Sequence, residues 1–227
     1  MERSTPGEIL RNHLTLDGKR VADIGCGAGA IARQIAAAGA MVSGIDVSAK
    51  AIAAASTETP VNGESFKVAA AEDMPFEDAS TDIVLFHNSV HHVAPEKLDV
   101  AIGEAARVLK PGGMLCFSEP LAEGPRWELG LSVNDESTAR DRAYAAIGRA
   151  PQLGFEEIEE FFYMHERSFA DFDDFHAAQI TRSERRQRVF AERGAAVRAT
   201  FDRLAVRRDG RCWFDQPIRI NILRKRG

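Results

Sequence analysis

The chain has 227 residues, of which 44% are hydrophobic and 28% are charged, and its formal net charge is −5. This length and composition are typical of one globular domain with a sizeable core. No apolar run approaches the roughly 18–20 residues of a membrane span, and the charged amino terminus lacks the apolar segment of a signal peptide, so we expect a cytoplasmic protein with no membrane partner.

The cysteines and the charge distribution bear on compartment and partners. Cys26, Cys116 and Cys212 are far apart and show no C-x-x-C spacing, which indicates reduced thiols and neither a disulfide framework nor a zinc site. Residues 163–227 hold 15 Lys/Arg and 9 Asp/Glu, whereas residues 1–162 hold 14 and 25. A basic region can mark a nucleic-acid partner, but arginines paired with acids on a solvated helix are the more frequent cause, so nucleic acid is disfavoured.

Apolar runs alternate with helical patterns along most of the chain. Strands are predicted at 20–25, 41–46, 65–70, 82–88, 113–119, 158–166 and 216–225. Helices are predicted at 29–39, 48–56 and 95–110, with Gly39 as a C-cap of the first and Ser48 as the N-cap of the second. This alternation predicts an α/β fold with a mostly parallel sheet and helices on both of its faces.

Two segments interrupt this alternation within what we expect to be a single domain, 1–227. Residues 120–150 form a loop-plus-helix insertion after the fifth strand, and about 170–206 form a polar helical stretch before the last strand. Material attached at the carboxyl ends of strands covers the ligand crevice of an open α/β sheet, so both segments are expected to form a substrate lid. A plain surface helix is an equal alternative for 180–206.

The first strand leads into a glycine-rich turn in the segment VADIGCGAG, residues 21–29. The turn fits the G-x-G-x-x-G/A dinucleotide fingerprint, which any α/β nucleotide-binding protein can carry. Asp23, however, stands two residues before the first glycine, where it would repel a pyrophosphate and attract an ammonium group. This carboxylate favours S-adenosylmethionine over NAD as the adenosyl ligand.

Asp46 ends the second strand, about twenty residues after the turn. A carboxylate there can accept hydrogen bonds from both ribose hydroxyls of an adenosyl ligand, and Val47 would offer an apolar face to the adenine. The alternative is that Asp46 only caps the helix that starts near Ser48.

Four motifs, in this order, resemble the class I S-adenosylmethionine-dependent methyltransferases, especially the ubiquinone/menaquinone-type and other small-molecule enzymes. They are 21-VADIGCGAG-29, 43-SGIDVS-48, 69-AAAEDMPFEDASTDIVLFHNSVHHV-93 and 108-VLKPGGMLCFSE-119. The resemblance implies a Rossmann-like seven-stranded sheet of order 3-2-1-4-5-7-6 with strand 7 antiparallel. In the last motif, Pro111 and Gly112 suit a type II turn before the fifth strand.

The resemblance also implies a set of cofactor-binding residues. The methionyl end is assigned to the loop of Asp23, Gly25, Cys26, Gly27, Ala28 and Gly29, with His87 nearby, and the ribose to Asp46. The adenine pocket is assigned to Val47, Ala70, Ala71 and Glu72. Many relatives have Asp or Asn at position 70, so the contact with the adenine amino group is expected to pass to Glu72, Asp73 or the main chain.

Methyl transfer from a sulfonium requires alignment, exclusion of water and a proton acceptor where the nucleophile carries a proton. His91 and His92 are the candidate general bases, with a structural hydrogen bond as the alternative, and Glu119 is expected to orient a substrate or to cap the insertion. A metal is disfavoured, because the carboxylate cluster of metal-using relatives is replaced by His87, Asn88 and Ser89.

The acceptor is expected to be a small molecule, with anionic and aromatic compounds as candidates. Arg126, Trp127, Arg140, Arg142 and Tyr144 in the insertion could bind it, although surface pairing is as frequent for arginines. O-methylation is placed ahead of N-methylation, with S-adenosylhomocysteine as product, and no signal for an oligomeric state is visible. The alternatives are an RNA or protein methyltransferase docking through the basic region, an NAD-dependent oxidoreductase and a non-catalytic adenosyl-binding module.

Overall fold

The computed structural model of the protein describes residues 1–181 and 183–227; Arg182, inside the predicted 170–206 segment, lies outside the described residues. The chain divides into two compact units. The main unit comprises Thr5–Glu119, Asp141–Phe162 and Arg219–Gly227, and the second unit comprises Met1–Ser4, Pro120–Arg140 and Tyr163–Ile218.

Strands and helices alternate through the first half of the main unit, as the sequence predicts. They are α1 (Pro6–His13), β1 (Arg20–Ile24), α2 (Ala30–Ala36), β2 (Met41–Asp46), α3 (Ala49–Thr57), β3 (Ser65–Val68), β4 (Thr81–His87), α4 (Leu98–Val108) and β5 (Leu109–Pro120). The remaining elements are α5 (Pro125–Leu131), α6 (Ser137–Ile147), β6 (Phe155–Phe169), α7 (Phe172–Ile180), α8 (Glu184–Leu204), β7 (Val206–Arg208) and β8 (Arg211–Lys225). The boundary between the units falls within β5, α6, β6 and β8.

The sheet has the order β3-β2-β1-β4-β5-β8-β6. β1 pairs in parallel with β2 and β4, and β2–β3 and β4–β5 are also parallel, whereas the short β7 pairs antiparallel with β8. The predicted Rossmann-like, mostly parallel sheet of order 3-2-1-4-5-7-6 is therefore confirmed, with β8 in the place of the predicted seventh strand. The short strand β7 has no counterpart among the predicted strands.

The core of the main unit lies between the central strands and α4. Ile83, Val84, Leu85 and Phe86 on β4 are all buried, as expected of a parallel strand covered on both faces. On α4 the buried positions Leu98, Ile102, Ala105 and Val108 are spaced by three or four residues, so they form one apolar face toward the sheet.

Several element boundaries differ from the predicted ones. The predicted helix 95–110 begins with a 3₁₀ turn at Pro95–Lys97, and α4 follows it. β5 starts at Leu109, earlier than predicted, because Leu109 pairs with Thr81 before the register jumps to Met114 opposite Ile83. Within this irregular stretch Gly112 has φ +75°, the left-handed conformation that the predicted turn requires.

The second unit has an aromatic core of its own. Phe169, Phe175, Phe201 and Phe214 lie at its centre, with ring centroids 5.0–6.5 Å apart in the contacting pairs. The predicted loop-plus-helix insertion at 120–150 contains two helices, α5 and α6, and the predicted polar stretch at 170–206 contains α7 and α8. Among the described residues, no helix combines the length and apolar character needed to cross a membrane.

Candidate active site

The glycine-rich turn after β1 depends on glycine at two positions. The N–H groups of Gly25 and Cys26 both donate to the Ile45 carbonyl, at 2.8 and 3.0 Å, which folds the chain sharply against the end of β2. Gly25 has φ +73°, and a Cβ there would lie 2.5 Å from the Ser89 Cβ; at Gly29, with φ +79°, it would lie 2.7 Å from the Phe66 ring. The turn therefore excludes side chains where the backbone approaches its neighbours most closely.

Asp46 joins the end of β2 to this turn. Its Oδ2 accepts a hydrogen bond from Gly27 N at 2.9 Å, and its Oδ1 accepts one from Ser48 N at 2.8 Å. The N-cap of α3 is Ser48, whose hydroxyl accepts from Ala51 N at 3.2 Å, so Asp46 supports the helix start without being its cap. A carboxylate has about four acceptor positions, so both oxygens of Asp46 can accept a further donor such as a diol hydroxyl.

Asp23 is the buried carboxyl group of the site. It is 1% exposed, and within the part of the chain that the structure describes its Oδ2 has no hydrogen-bond partner. Burial, together with the nearby negative charge of Asp46, raises the pKa of Asp23 to about 7. Three factors, burial first and then the charges of Asp23 and Asp46, raise the pKa of the Cys26 thiol to about 12. A cationic ligand would favour the ionised forms of the Asp23 and Asp46 carboxyl groups.

A cavity of about 390 Å³ opens beside the turn, wholly within the main unit. Five residues of the predicted cofactor set line it: Gly25, Asp46, Val47, Ala71 and Glu72. Val47 is 72% exposed and presents an apolar surface there. The other residues that line the cavity include Ala69, Phe86, Asn88, Ser89, His92 and Lys97.

Of the three alanines at the predicted adenine pocket, two line the cavity and one forms a backbone hydrogen bond in the turn that follows β3. Ala69 and Ala71 line the cavity, whereas the carbonyl of Ala70 accepts a hydrogen bond from Asp73 N at 3.3 Å. Glu72 is hydrogen-bonded to Lys97, and this contact lowers the pKa of the Glu72 carboxyl group. The cavity rim therefore carries an ion pair beside two small apolar side chains.

Glu119, at the end of β5, organises the loop that follows β4. It is 4% exposed, and its Oε1 accepts hydrogen bonds from Ser89 N and Val90 N at 2.9 and 3.1 Å, while its Oε2 hydrogen-bonds with His91 Nδ1. The Ser89 hydroxyl donates to the Ile24 carbonyl at 2.6 Å. One buried carboxylate thus fixes both the backbone and an imidazole beside the cavity.

The structure separates the three predicted histidines by position. His92 is exposed and lines the cavity, whereas His91 is buried behind it, with the two ring centroids 4.0 Å apart. His87 ends β4 and shares a hydrogen bond with the Ser118 hydroxyl at 3.0 Å. Of the residues predicted to be catalytic, His92 therefore lines the cavity, whereas His91 and Glu119 are buried.

Several residues that line the cavity are not among the predicted site residues. Asn88 has φ +52°, a conformation that Asn adopts more readily than most residues, so its place directly after β4 was a usable signal. Ser89 and Lys97 had no comparable signal, because their contacts are with distant segments. In the second unit, Arg140 donates to the Pro120 carbonyl and pairs with Glu136.

Comparisons with known proteins find similarity over the first half of the chain. Residues 22–117 match a family model described as a methyltransferase domain. A ubiquinone biosynthesis O-methyltransferase from Agrobacterium fabrum is 37% identical over 111 residues, which cover 48% of this chain and 44% of the relative. A fatty-acid O-methyltransferase from Mycolicibacterium smegmatis is 35% identical over 121 residues, which cover 52% and 43%. The chain spans about half the length of the curated relatives that it matches.

A solved structure of a candidate methyltransferase from Bacillus halodurans superposes with a TM-score of 0.66 over 99% of this chain and 100% of that one. The two sequences are 22% identical, so this likeness shows the fold. The chain therefore has the fold of that structure, and its residues 22–117 resemble a methyltransferase domain.

Proposed function

We propose that this protein is an enzyme that transfers a methyl group from S-adenosylmethionine to an oxygen nucleophile of a small molecule and releases S-adenosylhomocysteine. The observation that carries the proposal is the pair of carboxyl groups at the glycine turn. Asp23 is buried without a partner for its Oδ2, and Asp46 meets the cavity with acceptor capacity on both oxygens. A cationic ligand with a vicinal diol satisfies both groups.

The residues around the cavity fit the parts of that cofactor. The ammonium of the methionyl end would meet the negative potential of Asp23, in the loop that runs to Gly29. Asp46 would accept the ribose hydroxyls, and Val47 with Ala71 would cover the adenine, beside Glu72 at the rim. Direct pairing of a carboxylate with two hydroxyls discriminates strongly against ligands that lack them.

When bound, S-adenosylmethionine supplies an electrophilic methyl group attached to a good leaving group. The protein's part is then to align the acceptor, exclude water and take up a proton. His92 lines the cavity and is the proton acceptor in this proposal, since a neutral imidazole has a nitrogen that can accept a proton. Glu119 positions it through His91, whose ring packs against that of His92.

Oxygen as the accepting atom is supported by the two curated relatives, both of which are named O-methyltransferases. We propose an anionic or aromatic small molecule as the substrate, with residues 120–150 and about 170–206 on the substrate side of a single functional domain. A cytoplasmic location is supported by three free thiols, Cys26, Cys116 and Cys212.

The pairing of the basic region supports a small molecule over a nucleic acid. Within the second unit, arginines of this region form ion pairs with neighbouring acids: Arg198 with Asp173, Arg203 with Glu128, Arg207 with Asp202 and Arg208 with Glu166. Guanidinium groups engaged in this way present less free positive charge to a phosphate backbone.

Calorimetric titration of the protein with S-adenosylhomocysteine and with NAD tests the cofactor assignment. We expect binding of S-adenosylhomocysteine, and tight binding of NAD without binding of S-adenosylhomocysteine would overturn the proposal.

Asp46→Ala should weaken S-adenosylhomocysteine binding at least tenfold, since it removes both ribose acceptors. Glu58→Ala, at the exposed C-cap of α3, is the matched control and should leave the affinity unchanged.

Transfer itself is tested with methyl-labelled S-adenosylmethionine and metabolite extracts, followed by identification of the labelled product. A labelled small-molecule ether or ester is the expected result. Label on RNA or protein alone would contradict the proposed substrate class, and cofactor binding without any transfer would indicate an adenosyl-binding module.

A further inference from the structure

The main unit holds an unpaired cation outside the cavity, on β8. Arg219 is half-buried, and among the described residues no hydrogen bond or ion pair to its guanidinium is found; its Nε is fully buried. Burial lowers the pKa of Arg219, an effect that Tyr144, Glu160 and Glu119 partly offset. A buried N–H without an acceptor is costly, so the Nε of Arg219 points to a ligand that supplies an acceptor.

The neighbouring acids are engaged elsewhere. Glu160 Oε2 accepts hydrogen bonds from the Tyr144 hydroxyl at 3.1 Å and from Asn221 Nδ2 at 2.7 Å. Glu119 accepts from the backbone of Ser89 and Val90 and hydrogen-bonds with His91. Both carboxylates act on Arg219 through their charge, yet the donors of its guanidinium are left for another acceptor.

Tyr144 orients the guanidinium. The Arg219 Cζ lies 3.3 Å from the centroid of the Tyr144 ring, so the ring covers one face of the guanidinium plane. A carboxylate binds a guanidinium in that plane, through two parallel N–H···O hydrogen bonds. Stacking on Tyr144 therefore holds the group in place without occupying the edge that an oxyanion uses.

The position of β8 separates this site from the methionyl pocket. Along the sheet, β8 follows β5 and β4, so it lies three strands from β1, which carries Asp23. With a spacing of about 4.8 Å between strands, that separation is roughly 14 Å. A carboxylate bound at Arg219 therefore belongs to a molecule other than the methionyl end of the cofactor. It would lie on the side of Glu119 and His91, the residues that support His92.

We infer that Arg219, held by Tyr144, is a specificity-determining residue that binds a carboxylate group of the methyl acceptor. The inference rests on the proposed function and narrows its substrate class to acidic small molecules. The carboxylate that Arg219 binds could also come from the methionyl end of the cofactor. The separation of three strands between β8 and β1 argues against that source.

The Nε–H resonance of Arg219 in a ¹⁵N spectrum of arginine side chains, recorded with S-adenosylhomocysteine present, gives a direct readout. Its assignment follows from its loss in Arg219→Lys. Three carboxylates, acetate, benzoate and octanoate, are titrated beside their amides. At least one acid should shift this resonance with half-saturation at a concentration at least tenfold below that of its amide. If none of the three does, the inference is wrong.

Ligand binding by variants distinguishes the two sources of the carboxylate. Arg219→Gln should abolish the preference for the acid over its amide while S-adenosylhomocysteine affinity stays within twofold. A tenfold loss of that affinity would instead assign Arg219 to the cofactor and overturn the inference. Arg224→Gln, on the same strand and paired with Glu156, is the control and should change neither quantity. Failure of the unsubstituted protein to bind S-adenosylhomocysteine would count against the proposed function. The carboxylate titration of Arg219 can be recorded without S-adenosylhomocysteine, so it would still test the inference.

Discussion

Asp23 makes cofactor binding dependent on pH. Its pKa is raised to about 7, so near neutral pH part of the population carries a protonated carboxyl group. A ligand ammonium favours the ionised form, so S-adenosylhomocysteine affinity should increase as pH rises from about 6 to 8, and binding should release a proton. Calorimetry in buffers of different ionisation enthalpy measures both effects. A pH-independent affinity would contradict this assignment.

The same group affects folding with a defined sign. Because the folded-state pKa of Asp23 lies above its ordinary value of 3.8, the folded, unliganded protein holds this proton more tightly than the unfolded chain does. The contribution of Asp23 to stability should therefore fall as pH rises from about 4 to 7. In Asp23→Asn this slope should disappear together with the pH dependence of ligand binding, and denaturation curves across that range provide the measurement.

Two glycines of one turn should differ in their tolerance of alanine. Both Gly25 and Gly27 have positive φ, but a Cβ at Gly25 would collide with the Cβ of Ser89, while at Gly27 it would meet no described atom within 4 Å. Gly27→Ala should cost about 1–2 kcal/mol for the left-handed conformation, and Gly25→Ala about 2–4 kcal/mol. Urea denaturation without ligand compares the variants. Equal losses would show that the Ser89 contact is not limiting.

The sequence could predict the site residues that stand next to strand ends. Gly25, Asp46 and Val47 follow β1 and β2 closely, and the carboxyl ends of parallel strands meet at one edge of a sheet, so their meeting at the cavity follows from topology. Lys97 and Arg219 could not be predicted in this way. Their environment depends on contacts with Glu72 and Tyr144, which are far away in the sequence.

At the scale of elements, Glu119 couples the end of β5 to the loop after β4. Glu119→Ala would leave the buried N–H groups of Ser89 and Val90 without their acceptor, so we expect a loss of about 2–5 kcal/mol in unfolding free energy. Glu119→Gln keeps one acceptor oxygen and should lose at most half as much. Glu123→Ala, an exposed position shortly after β5, is the control and should stay within about 0.5 kcal/mol.

The loop has a second readout besides stability. It carries the cavity residues Asn88, Ser89 and His92, so Glu119→Gln, where it remains folded, should also bind S-adenosylhomocysteine more weakly. Unchanged stability and affinity in both Glu119 variants would show that the loop does not depend on this carboxylate.

The predictability of the elements followed the strength of their local patterns. The continuous apolar run of β4 and the alternation of short segments were sufficient to place the central strands. β6 spans Phe155–Phe169, beyond the predicted 158–166, and its ends were not predicted because residues 155–157 and 167–169 carry no continuous apolar run. The helix α1 was missed, although Thr5 and Glu8 form a capping box that is visible in the sequence as T-P-G-E.

At the scale of the whole molecule, we expect the proposed cofactor to contact only one of the two units. The cavity is lined by residues of the main unit alone, from Ile24 to Lys97. A ligand that binds only the folded state stabilises it by about 2.7 kcal/mol at a concentration of one hundred times its dissociation constant, so its contact segments should open less often.

Hydrogen exchange with and without S-adenosylhomocysteine measures this effect. We expect slower exchange at 24–29, 46–48, 69–72 and 88–94, and no change in α8 (Glu184–Leu204), whose buried residues Phe190, Val197 and Phe201 pack in the separate aromatic core of the second unit. The Asp46→Ala protein, mixed with the same ligand concentration, is the control and should show little protection. Protection centred on α8, with the 24–29 turn unaffected, would place the ligand outside the cavity and contradict the assignment of the glycine turn.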